Sequence, residues 1–371
     1  MTSNCSAACQ SVALSRRNFL VGATTSGFVA SISSKALSKP VSSQPPTKGS
    51  RWIDVHHHLV PPRYLAKIPM EDAISGASAS RHALEQWTIQ RSLDQMDLAG
   101  VQGSILSLSN PGVWFGDAPL ARDLARECNE YAAKLIATYP GRFGMFAVLP
   151  LPDLDGSLKE LAYALDILKA DGVGLYTSYQ NKWLGDASFD PLFAELNRRR
   201  VVAYVHPTAA DCCRALKDGV PSNLIEYQTD TSRAIAGILA AGIPTRYPDV
   251  KIIFSHAGGT LPFLIERFIG WAKTPSVAKA LPQGLIPALA SFYYDTAQAS
   301  NPIAMGALSK LVPSSQILFG TDYPFRTVEE HVDRLIHCAV FDADQLQGIG
   351  REHAVALIPR LGSTSRPLSS S

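Results

Sequence analysis

Ile53-Asp54-Val55-His56-His57-His58 has the pattern of a short apolar β-strand that ends in histidines. Successive side chains of a strand point to opposite faces, so His56 and His58 share one face while His57 points the other way. Two neutral imidazoles on one face form half of a metal site. The alternative is an ordinary polar strand end, and the remaining strand ends of the chain distinguish the two.

Length and charge limit the class of protein. The chain has 371 residues, which suits one large domain or two of ordinary size. Charged residues make up 18% of the chain and the formal net charge is +2 at pH 7. This balance indicates neither a basic surface for nucleic acid nor an acidic tail. A small molecule is therefore the expected partner.

The first 47 residues predict an export signal. Ser15-Arg16-Arg17-Asn18-Phe19-Leu20 places two arginines before a mildly apolar run, Phe19 to Ile32, that is too short for a stable membrane anchor. This pattern is typical of a twin-arginine signal, which a receptor recognises. We expect export to the periplasm, a mature domain at 48–361 and a mobile tail at 362–371. The alternative is a cytoplasmic protein with a frayed N-terminus and a chance arginine pair.

Seven further apolar runs alternate with amphipathic segments and complete a set of eight strands. They lie at 101–109, 143–149, 172–177, 201–206, 251–256, 292–295 and 317–320. Continuous apolar runs are typical of buried parallel strands joined by right-handed helical crossovers. Eight such units predict an α/β fold, a (β/α)8 TIM barrel with an inserted loop after strand one, at 59–85. The alternative is an open doubly wound sheet. However, the first strand-to-helix turn of this chain has no Gly-x-Gly-x-x-Gly motif, which is typical of that fold.

The active site of such a barrel lies at the carboxyl ends of the strands. Those ends carry His56, His58, His206, His256 and Asp322. Closure of the barrel brings the first three imidazoles and Asp322 together, and this set suits one divalent ion. Two glycines follow His256 and allow a tight turn, which leaves its imidazole beside the ion, where a general acid or base belongs.

One metal ion is expected rather than two. A second ion bridged by a modified lysine would require a lysine on strand four, whereas that strand ends Leu175-Tyr176-Thr177 and Lys182 lies in the loop beyond. Three histidines and an aspartate suit Zn²⁺ first, although Mn²⁺ or Co²⁺ would be held by the same groups. No organic cofactor is expected.

Four motifs occur together along the chain. They are Ile53-Asp-Val-His-His-His58, Val205-His206-Pro207, Ser255-His256-Ala-Gly-Gly-Thr-Leu-Pro-Phe263 and Gly320-Thr-Asp-Tyr-Pro-Phe325. This combination resembles the amidohydrolase superfamily, and within it the non-oxidative decarboxylases typified by 2-amino-3-carboxymuconate-6-semialdehyde decarboxylase. The chain is also similar to salicylate-type members of this group, such as 6-methylsalicylate decarboxylases. The resemblance extends from Trp52 to Leu357.

The resemblance implies roles for individual residues. It implies metal ligands at His56, His58, His206 and Asp322. It also implies a catalytic His256 and a carboxylate-binding Arg267 that reaches the pocket of a neighbouring subunit, which requires a homodimer. Two departures concern the substrate: Thr208 stands where that decarboxylase has an aromatic residue, and its second substrate arginine has no counterpart except Arg81.

The chemistry of decarboxylation suits these residues. Protonating the ring carbon before CO2 leaves avoids a ring carbanion, and an ion that chelates the carboxylate and an ortho hydroxyl would fix the ring while His256 or Asp322 supplies the proton. We therefore predict a carboxy-lyase for a small aromatic or muconate-like acid such as 6-methylsalicylate. The alternatives are a metal hydrolase that opens a lactone, amide or C–C bond, and an exported barrel that binds metal without catalysis.

Three further residues are candidates for contact with the substrate. Phe325 follows Asp322 by three positions and Trp183 follows strand four, so either ring could cover a planar substrate; the alternative for each is structural packing. Asp295, at the end of strand seven, is expected to bind substrate or orient His256, with a plain strand-end cap as the alternative. The histidines without a partner pattern, expected on the surface or in packing, are His82, His331, His337 and His353.

Overall fold

The computed structural model describes residues 51–68, 78–208, 210, 213 and 220–362. The predicted export signal at 1–47, and all of the predicted tail except Gly362, lie outside the described residues. Among the described helices, none is long and apolar enough to cross a membrane.

Eight parallel strands and a short hairpin make up the sheets of the described chain. In chain order the strands are β1 (Trp52–His58), β2 (Val101–Ser107), β3 (Phe143–Val148), β4 (Gly172–Tyr176), β5 (Ser178–Tyr179), β6 (Lys182–Trp183), β7 (Val202–His206), β8 (Lys251–Phe254), β9 (Tyr293–Asp295) and β10 (Ile317–Leu318). The main sheet has the order β1-β2-β3-β4-β7-β8-β9-β10, and β5 pairs with β6.

The main sheet closes on itself between β10 and β1. The backbone N–H of Val55 donates to the carbonyl of Phe319 at 3.0 Å, and that of Asp322 donates to the carbonyl of His56 at 2.8 Å. These bonds bring the segment after β10 alongside the histidine end of β1. The predicted (β/α)8 barrel is confirmed.

Helices fill the connections between the strands. They are α1 (Pro62–Lys67), α2 (Ser78–Glu85), α3 (Ile89–Ala99), α4 (Ala118–Thr138), α5 (Leu154–Asp166), α6 (Asp190–Arg199), α7 (Glu226–Ala240), α8 (Ile243–Arg246), α9 (Leu261–Ala272), α10 (Pro275–Ala280), α11 (Leu285–Leu289), α12 (Pro302–Leu311), α13 (Val328–His337), α14 (Ala343–Gln347) and α15 (His353–Leu357). Side-chain caps fix several starts: Asp117 accepts from the N–H of Leu120 at 2.8 Å at the start of α4.

Three local features differ from the sequence prediction. The segment predicted as a loop at 59–85 contains α1 and α2. The hairpin of β5 and β6 was not predicted, because strands of two residues show no periodicity. The strand predicted at 251–256 ends at Phe254, since the φ angles of His256 and Ala257 are 54° and 58° and no strand accommodates left-handed backbone.

The barrel core supports the carboxyl ends of the strands. A cluster of buried apolar side chains draws on β1, β2, β3, β7, β8 and β10. Within it the rings of Phe146 and Tyr204 stack with centroids 5.3 Å apart, and the ring of Tyr204 lies 5.2 Å from that of His56. The histidines at the strand ends therefore rest on a packed layer.

Candidate metal centre and active site

Four buried side chains converge at the carboxyl ends of the strands. His56 and His58 lie at the end of β1, His206 ends β7 and Asp322 follows β10. One nitrogen or carboxylate oxygen from each lies within 4.8 Å of the others, and all four residues are buried. The predicted metal site of these four residues is confirmed as a cluster of suitable donors.

The closest approaches in this cluster are of hydrogen-bond length. Nε2 of His56 lies 3.2 Å from Nε2 of His58. Oδ1 of Asp322 lies 2.9 Å from Nε2 of His58 and 3.2 Å from Nε2 of His56. The lone pairs of two imidazole nitrogens at this distance repel each other. A proton or a metal cation between the two nitrogens removes the repulsion.

The other nitrogen of each histidine is anchored. The bonds run from Nδ1 of His56 to Oδ2 of Asp295 (2.9 Å), from Nδ1 of His58 to the carbonyl of Ser107 (3.2 Å) and from Nδ1 of His206 to the carbonyl of Pro207 (2.9 Å). Carboxylate and carbonyl oxygens accept, so each Nδ1 carries the hydrogen and each Nε2 presents a lone pair. The donor set therefore fits a divalent metal ion.

Burial and neighbouring charges shift the pKa values of the four groups in different directions. Burial lowers the pKa of His56, but the carboxylates of Asp295 and Asp322 outweigh it and raise the pKa to about 10. Burial lowers the pKa of His58, and burial with the neighbouring imidazoles lowers that of His206 well below its usual value. Although burial raises the pKa of Asp322, the histidines around it hold that pKa well below its usual range. Among these four groups, only the imidazole of His56 carries a second proton, and so a positive charge, near neutral pH without a metal. That proton has to leave Nε2 before this nitrogen can bind a metal ion.

His256 lies beside the cluster. Its Nε2 is 3.2 Å from Oδ2 of Asp322, and its backbone N–H donates to Oδ1 of Asp295 at 2.8 Å. Its Nδ1 is buried and has no hydrogen-bond partner among the described residues. The imidazole is close enough to exchange a proton with Asp322, and its role as a general acid or base stays a prediction.

A strained turn presents His256 in this position. The φ angles of His256 and Ala257, 54° and 58°, lie in the left-handed region, which costs about 1–3 kcal/mol per residue. Gly259, with φ of 66°, allows the turn, because a Cβ at this position would lie 2.1 Å from the carbonyl oxygen of Gln228. Strain of this kind persists where the surrounding structure holds a functional group in place.

A cavity opens beside the cluster. Its lining includes His206, His256, Asp322 and the ring of Phe325, together with amide and hydroxyl side chains. The rings of Phe325 and His58 lie 5.7 Å apart. No lysine or arginine belongs to the described residues that line this cavity.

The sequence of the barrel matches a known family. The family model described as Amidohydrolase matches residues 53–359. The chain belongs to the amidohydrolase family. The predicted family and barrel fold are therefore confirmed.

Relatives within the family are decarboxylases. Decarboxylase yanB of Aspergillus niger is 36% identical over 325 residues, which cover 83% of this chain and 87% of the relative. The 6-methylsalicylic acid decarboxylase of Penicillium expansum is 38% identical over 281 residues, which cover 73% of this chain and 84% of the relative. The predicted carboxy-lyase class is confirmed by these relatives.

A solved structure shares the fold of this amidohydrolase. The 5-carboxyvanillate decarboxylase of Novosphingobium aromaticivorans, complexed with manganese and 4-hydroxy-3-methoxy-5-nitrobenzoic acid, superposes with a TM-score of 0.76. The alignment covers 84% of this chain and 97% of that chain at 19% identity. At this identity the likeness establishes the fold alone.

Asp295 does not reach the cavity of this amidohydrolase. Its side chain is completely buried and interacts with Nδ1 of His56, the backbone N–H groups of His256 and Ala297, and the hydroxyl of Tyr204. The predicted contact with substrate is corrected, because no part of the carboxylate is accessible. The other expectation, that Asp295 orients His256, agrees with the backbone bond.

Three other predicted residues lie outside the cavity. Trp183 does not line this cavity, and its indole N–H donates to Oδ1 of Asp230 at 2.7 Å. Arg81 pairs with Glu85 at 2.7 Å on α2. Arg267 is exposed on α9, and its side chain forms no hydrogen bond or ion pair with the other described residues. Its predicted role in a neighbouring subunit stays a prediction.

His57 belongs to a separate buried network. Its Nδ1 lies 3.0 Å from Oδ2 of Asp54 and its Nε2 lies 3.0 Å from Oγ of Ser92. The three side chains resemble a catalytic triad in order, but all are completely buried, so no substrate reaches the serine. Asp54 also accepts from the hydroxyl of Thr321 at 2.7 Å, and the network therefore ties β1 to α3 and to the segment after β10.

Sequence patterns gave no indication of one cavity residue. Gln298 lines the cavity and its Nε2 donates to Oδ2 of Asp322. It lies in an irregular segment after β9, and an isolated glutamine there belongs to no motif. The one available signal is its distance of three residues from Asp295, at a strand end that faces the site.

Proposed function

We propose that this chain is a metal-dependent, non-oxidative decarboxylase of small ortho-hydroxylated aromatic acids such as 6-methylsalicylate. The position of Asp322 carries the proposal. Its Oδ1 lies 2.9 Å from Nε2 of His58 in the ligand cluster, and its Oδ2 lies 3.2 Å from Nε2 of His256. A ligand carboxylate and a proton-transferring imidazole therefore meet at the wall of one cavity.

The cavity suits a planar acid. Phe325 offers a ring face next to the cluster, and Ser109, Asn223 and Gln228 offer polar contacts. Since no cationic side chain belongs to the described lining, the cluster of donors is the natural place for the substrate carboxylate. The relative from Penicillium expansum is named for 6-methylsalicylic acid, which supports an ortho-hydroxylated substrate.

A divalent ion held by His56, His58, His206 and Asp322 would supply a positive charge that orients the carboxylate and polarises the ortho hydroxyl. We propose Zn²⁺ first from the donor set, with Mn²⁺ and Co²⁺ as the other ions to test. Manganese is the ion in the complex of the 5-carboxyvanillate decarboxylase that shares the fold. Loading metal-free protein with each ion separately, followed by kinetic comparison, decides between them.

The protein's own acid groups supply the proton. His256 delivers a proton to the ring carbon that bears the carboxylate, directly or through Oδ2 of Asp322, 3.2 Å away. The bond to the carboxylate carbon then breaks, its electron pair restores the aromatic ring, and CO2 leaves. The net reaction exchanges CO2 for a proton, so it requires no oxidant or organic cofactor.

A substrate screen tests this proposal. Metal-loaded protein is incubated with a panel of o-hydroxybenzoates, and separately with aryl esters and lactones, while CO2 and product masses are measured. CO2 release in proportion to the acid consumed supports the decarboxylase. Opening of esters or lactones without CO2 from any acid would replace it with the hydrolase alternative, which the two decarboxylase relatives do not favour.

The proposed assembly is a homodimer. Phe263 on α9 and Ile303 on α12 are 66% and 71% exposed, and the two helices pack together. Arg267 lies one helical turn beyond Phe263, so an interface on this face would bring Arg267 to a partner. Light scattering on Phe263→Asp/Ile303→Asp is expected to give monomers, while Leu98→Asp, at an equally exposed residue of α3, stays dimeric; a wild-type monomer would refute the dimer.

The proposed location is the periplasm. The support is the Arg16-Arg17 pair and the mildly apolar run after it. Residues 1–47 fused to a folded reporter are expected to direct its export from a bacterial cell, and Arg16→Lys/Arg17→Lys is expected to retain the reporter inside. Equal export of both fusions, or of neither, would contradict a twin-arginine signal.

A further inference from the structure

Gln298 lies at the mouth of the cavity, and none of the steps described above uses it. Its side chain is exposed there, and its Nε2 donates to Oδ2 of Asp322, the oxygen that also faces His256. Its backbone φ of 50° lies in the left-handed region, at a cost of about 1–3 kcal/mol. Backbone strain at a residue that contacts Asp322, a predicted metal ligand, persists only where other groups hold the residue in place.

The two ends of the Gln298 amide face different partners, Asp322 and Arg326. Nε of Arg326 lies 3.4 Å from Oε1 of Gln298. A guanidinium only donates, so the amide oxygen is turned to Arg326. The NH2 end is therefore turned to Asp322, where it meets a carboxylate oxygen that accepts.

His331 holds the backbone of Gln298. The imidazole is 1% exposed, and its Nδ1 lies 3.1 Å from the carbonyl oxygen of Thr327, so Nδ1 carries the hydrogen. Nε2 is left as an acceptor, and the backbone N–H of Gln298 donates to it at 3.1 Å. Burial lowers the pKa of His331, which keeps this lone pair available. His331 is thus a buried hydrogen-bonding residue rather than a surface one.

We propose that Gln298 is a positioning residue that fixes the carboxylate of Asp322, and that His331 supports it by holding its backbone. With Oδ2 engaged by the amide, Oδ1 is left facing Nε2 of His58 at 2.9 Å. Loss of the amide frees the carboxylate to turn about its Cβ–Cγ bond, which weakens its position as a ligand and its contact with His256. The kinetic part of this inference rests on the proposed function, whereas the metal-binding part does not.

A leucine variant of the full-length protein and a matched control test the inference first. Gln298→Leu keeps the approximate size of the side chain and removes the donor. Gln347→Leu is the matched control, because Gln347 is exposed and its amide also donates to a carboxylate, that of Glu352. The measurements are Zn²⁺ affinity of the metal-free protein, by competition with a chromogenic chelator, and kcat and KM of CO2 release at saturating Zn²⁺.

Gln298→Leu is expected to lower Zn²⁺ affinity and kcat about 10–100-fold, the usual effect of removing a partner of a metal ligand, while KM changes little. The control is expected to match wild type. His331→Leu is expected to act in the same direction, and His331→Gln to restore function because its amide oxygen accepts from the Gln298 N–H. The double variant Gln298→Leu/His331→Leu is expected to lose little more than Gln298→Leu, because both changes break one connection.

Zn²⁺ affinity and kcat of Gln298→Leu within about twofold of wild type would overturn the inference. If wild type releases no CO2, the proposed function fails, and the chelator titration alone decides on Gln298: a tenfold loss, roughly the lower end of that range, supports it and unchanged affinity overturns it. If His331→Leu does not fold, Gln298→Leu decides alone, since it alters an exposed side chain.

Discussion

Oδ2 of Asp295 lies 2.9 Å from Nδ1 of His56, and both side chains are completely buried. The other oxygen of Asp295 accepts from the backbone N–H of His256 at 2.8 Å. One inaccessible carboxylate therefore sets the orientation of a metal ligand and the start of the turn that presents the proton-transferring imidazole. Such partners of ligands control metal affinity although they never touch the ion.

Asp295→Asn is expected to lower metal affinity about 10–100-fold, because the carboxylate charge that orients Nδ1–H of His56 is lost. Chelator competition on the metal-free protein measures it. Tyr204→Phe is the control, since it removes one hydroxyl bond to the same carboxylate (2.9 Å) and leaves His56 in contact with Asp295. An effect of Tyr204→Phe as large as that of Asp295→Asn would contradict the orienting role.

Metal binding is expected to release one proton. His56 has its pKa raised to about 10, so metal-free protein carries a proton there at lower pH, while the lowered pKa values of His58, His206 and Asp322 leave those groups ready to bind. The proton competes with the metal, so affinity rises with pH, about tenfold per unit below pH 10, and metal is lost on acidification.

Calorimetric titrations in buffers of different ionisation enthalpy count the released protons. One proton per ion near neutral pH agrees with a protonated His56. Metal affinity that stays flat across roughly pH 6–9 would show that His56 is neutral before the metal binds.

Substitutions of the ligands and of His256 are expected to separate metal binding from turnover. His206→Ala and Asp322→Asn lose the metal, because each removes one of four donors. His256→Ala keeps it and loses about 10²–10⁴-fold in kcat, since only the proton transfer is removed. Elemental analysis with kinetics checks all three; a full metal complement in both ligand variants would refute the assignment.

Phe325 and Trp183 are expected to respond differently. Phe325→Ala raises KM about tenfold, because an aromatic contact is worth about 0.5–1.5 kcal/mol beside the area it buries. Trp183→Phe leaves KM unchanged and lowers the melting temperature, since it removes only the indole bond to Asp230. Steady-state kinetics and thermal unfolding of both variants provide the comparison. A KM that rises in Trp183→Phe but not in Phe325→Ala would show that Trp183, and not Phe325, contacts the substrate.

The barrel and its cluster of metal ligands could be predicted from the sequence. Apolar runs of strand length predict buried parallel strands, and closure of such a barrel brings strand ends from β1, β7 and the segment after β10 together whatever the loops do. His56, His58, His206 and Asp322 could therefore be grouped without knowledge of side-chain positions.

Contacts that depend on the paths of irregular segments could not be predicted. Gln298 meets His331 only because the segment after β9 passes beside α13, and neither residue belongs to a periodic pattern. The position of Trp183 after strand four predicts a place at the cavity, whereas the indole N–H at the end of the hairpin of β5 and β6 donates to Asp230. Asp295 was recognised as a strand-end acid, but its burial follows from neighbours distant in sequence.

The most direct measurement is the decarboxylation of 6-methylsalicylate by metal-loaded protein in D2O, with CO2 and the phenol product analysed together. The account predicts one CO2 for each acid consumed and one deuterium in the phenol, at the carbon that carried the carboxylate. Consumption of the acid without CO2, or CO2 with no deuterium at that carbon, would contradict it.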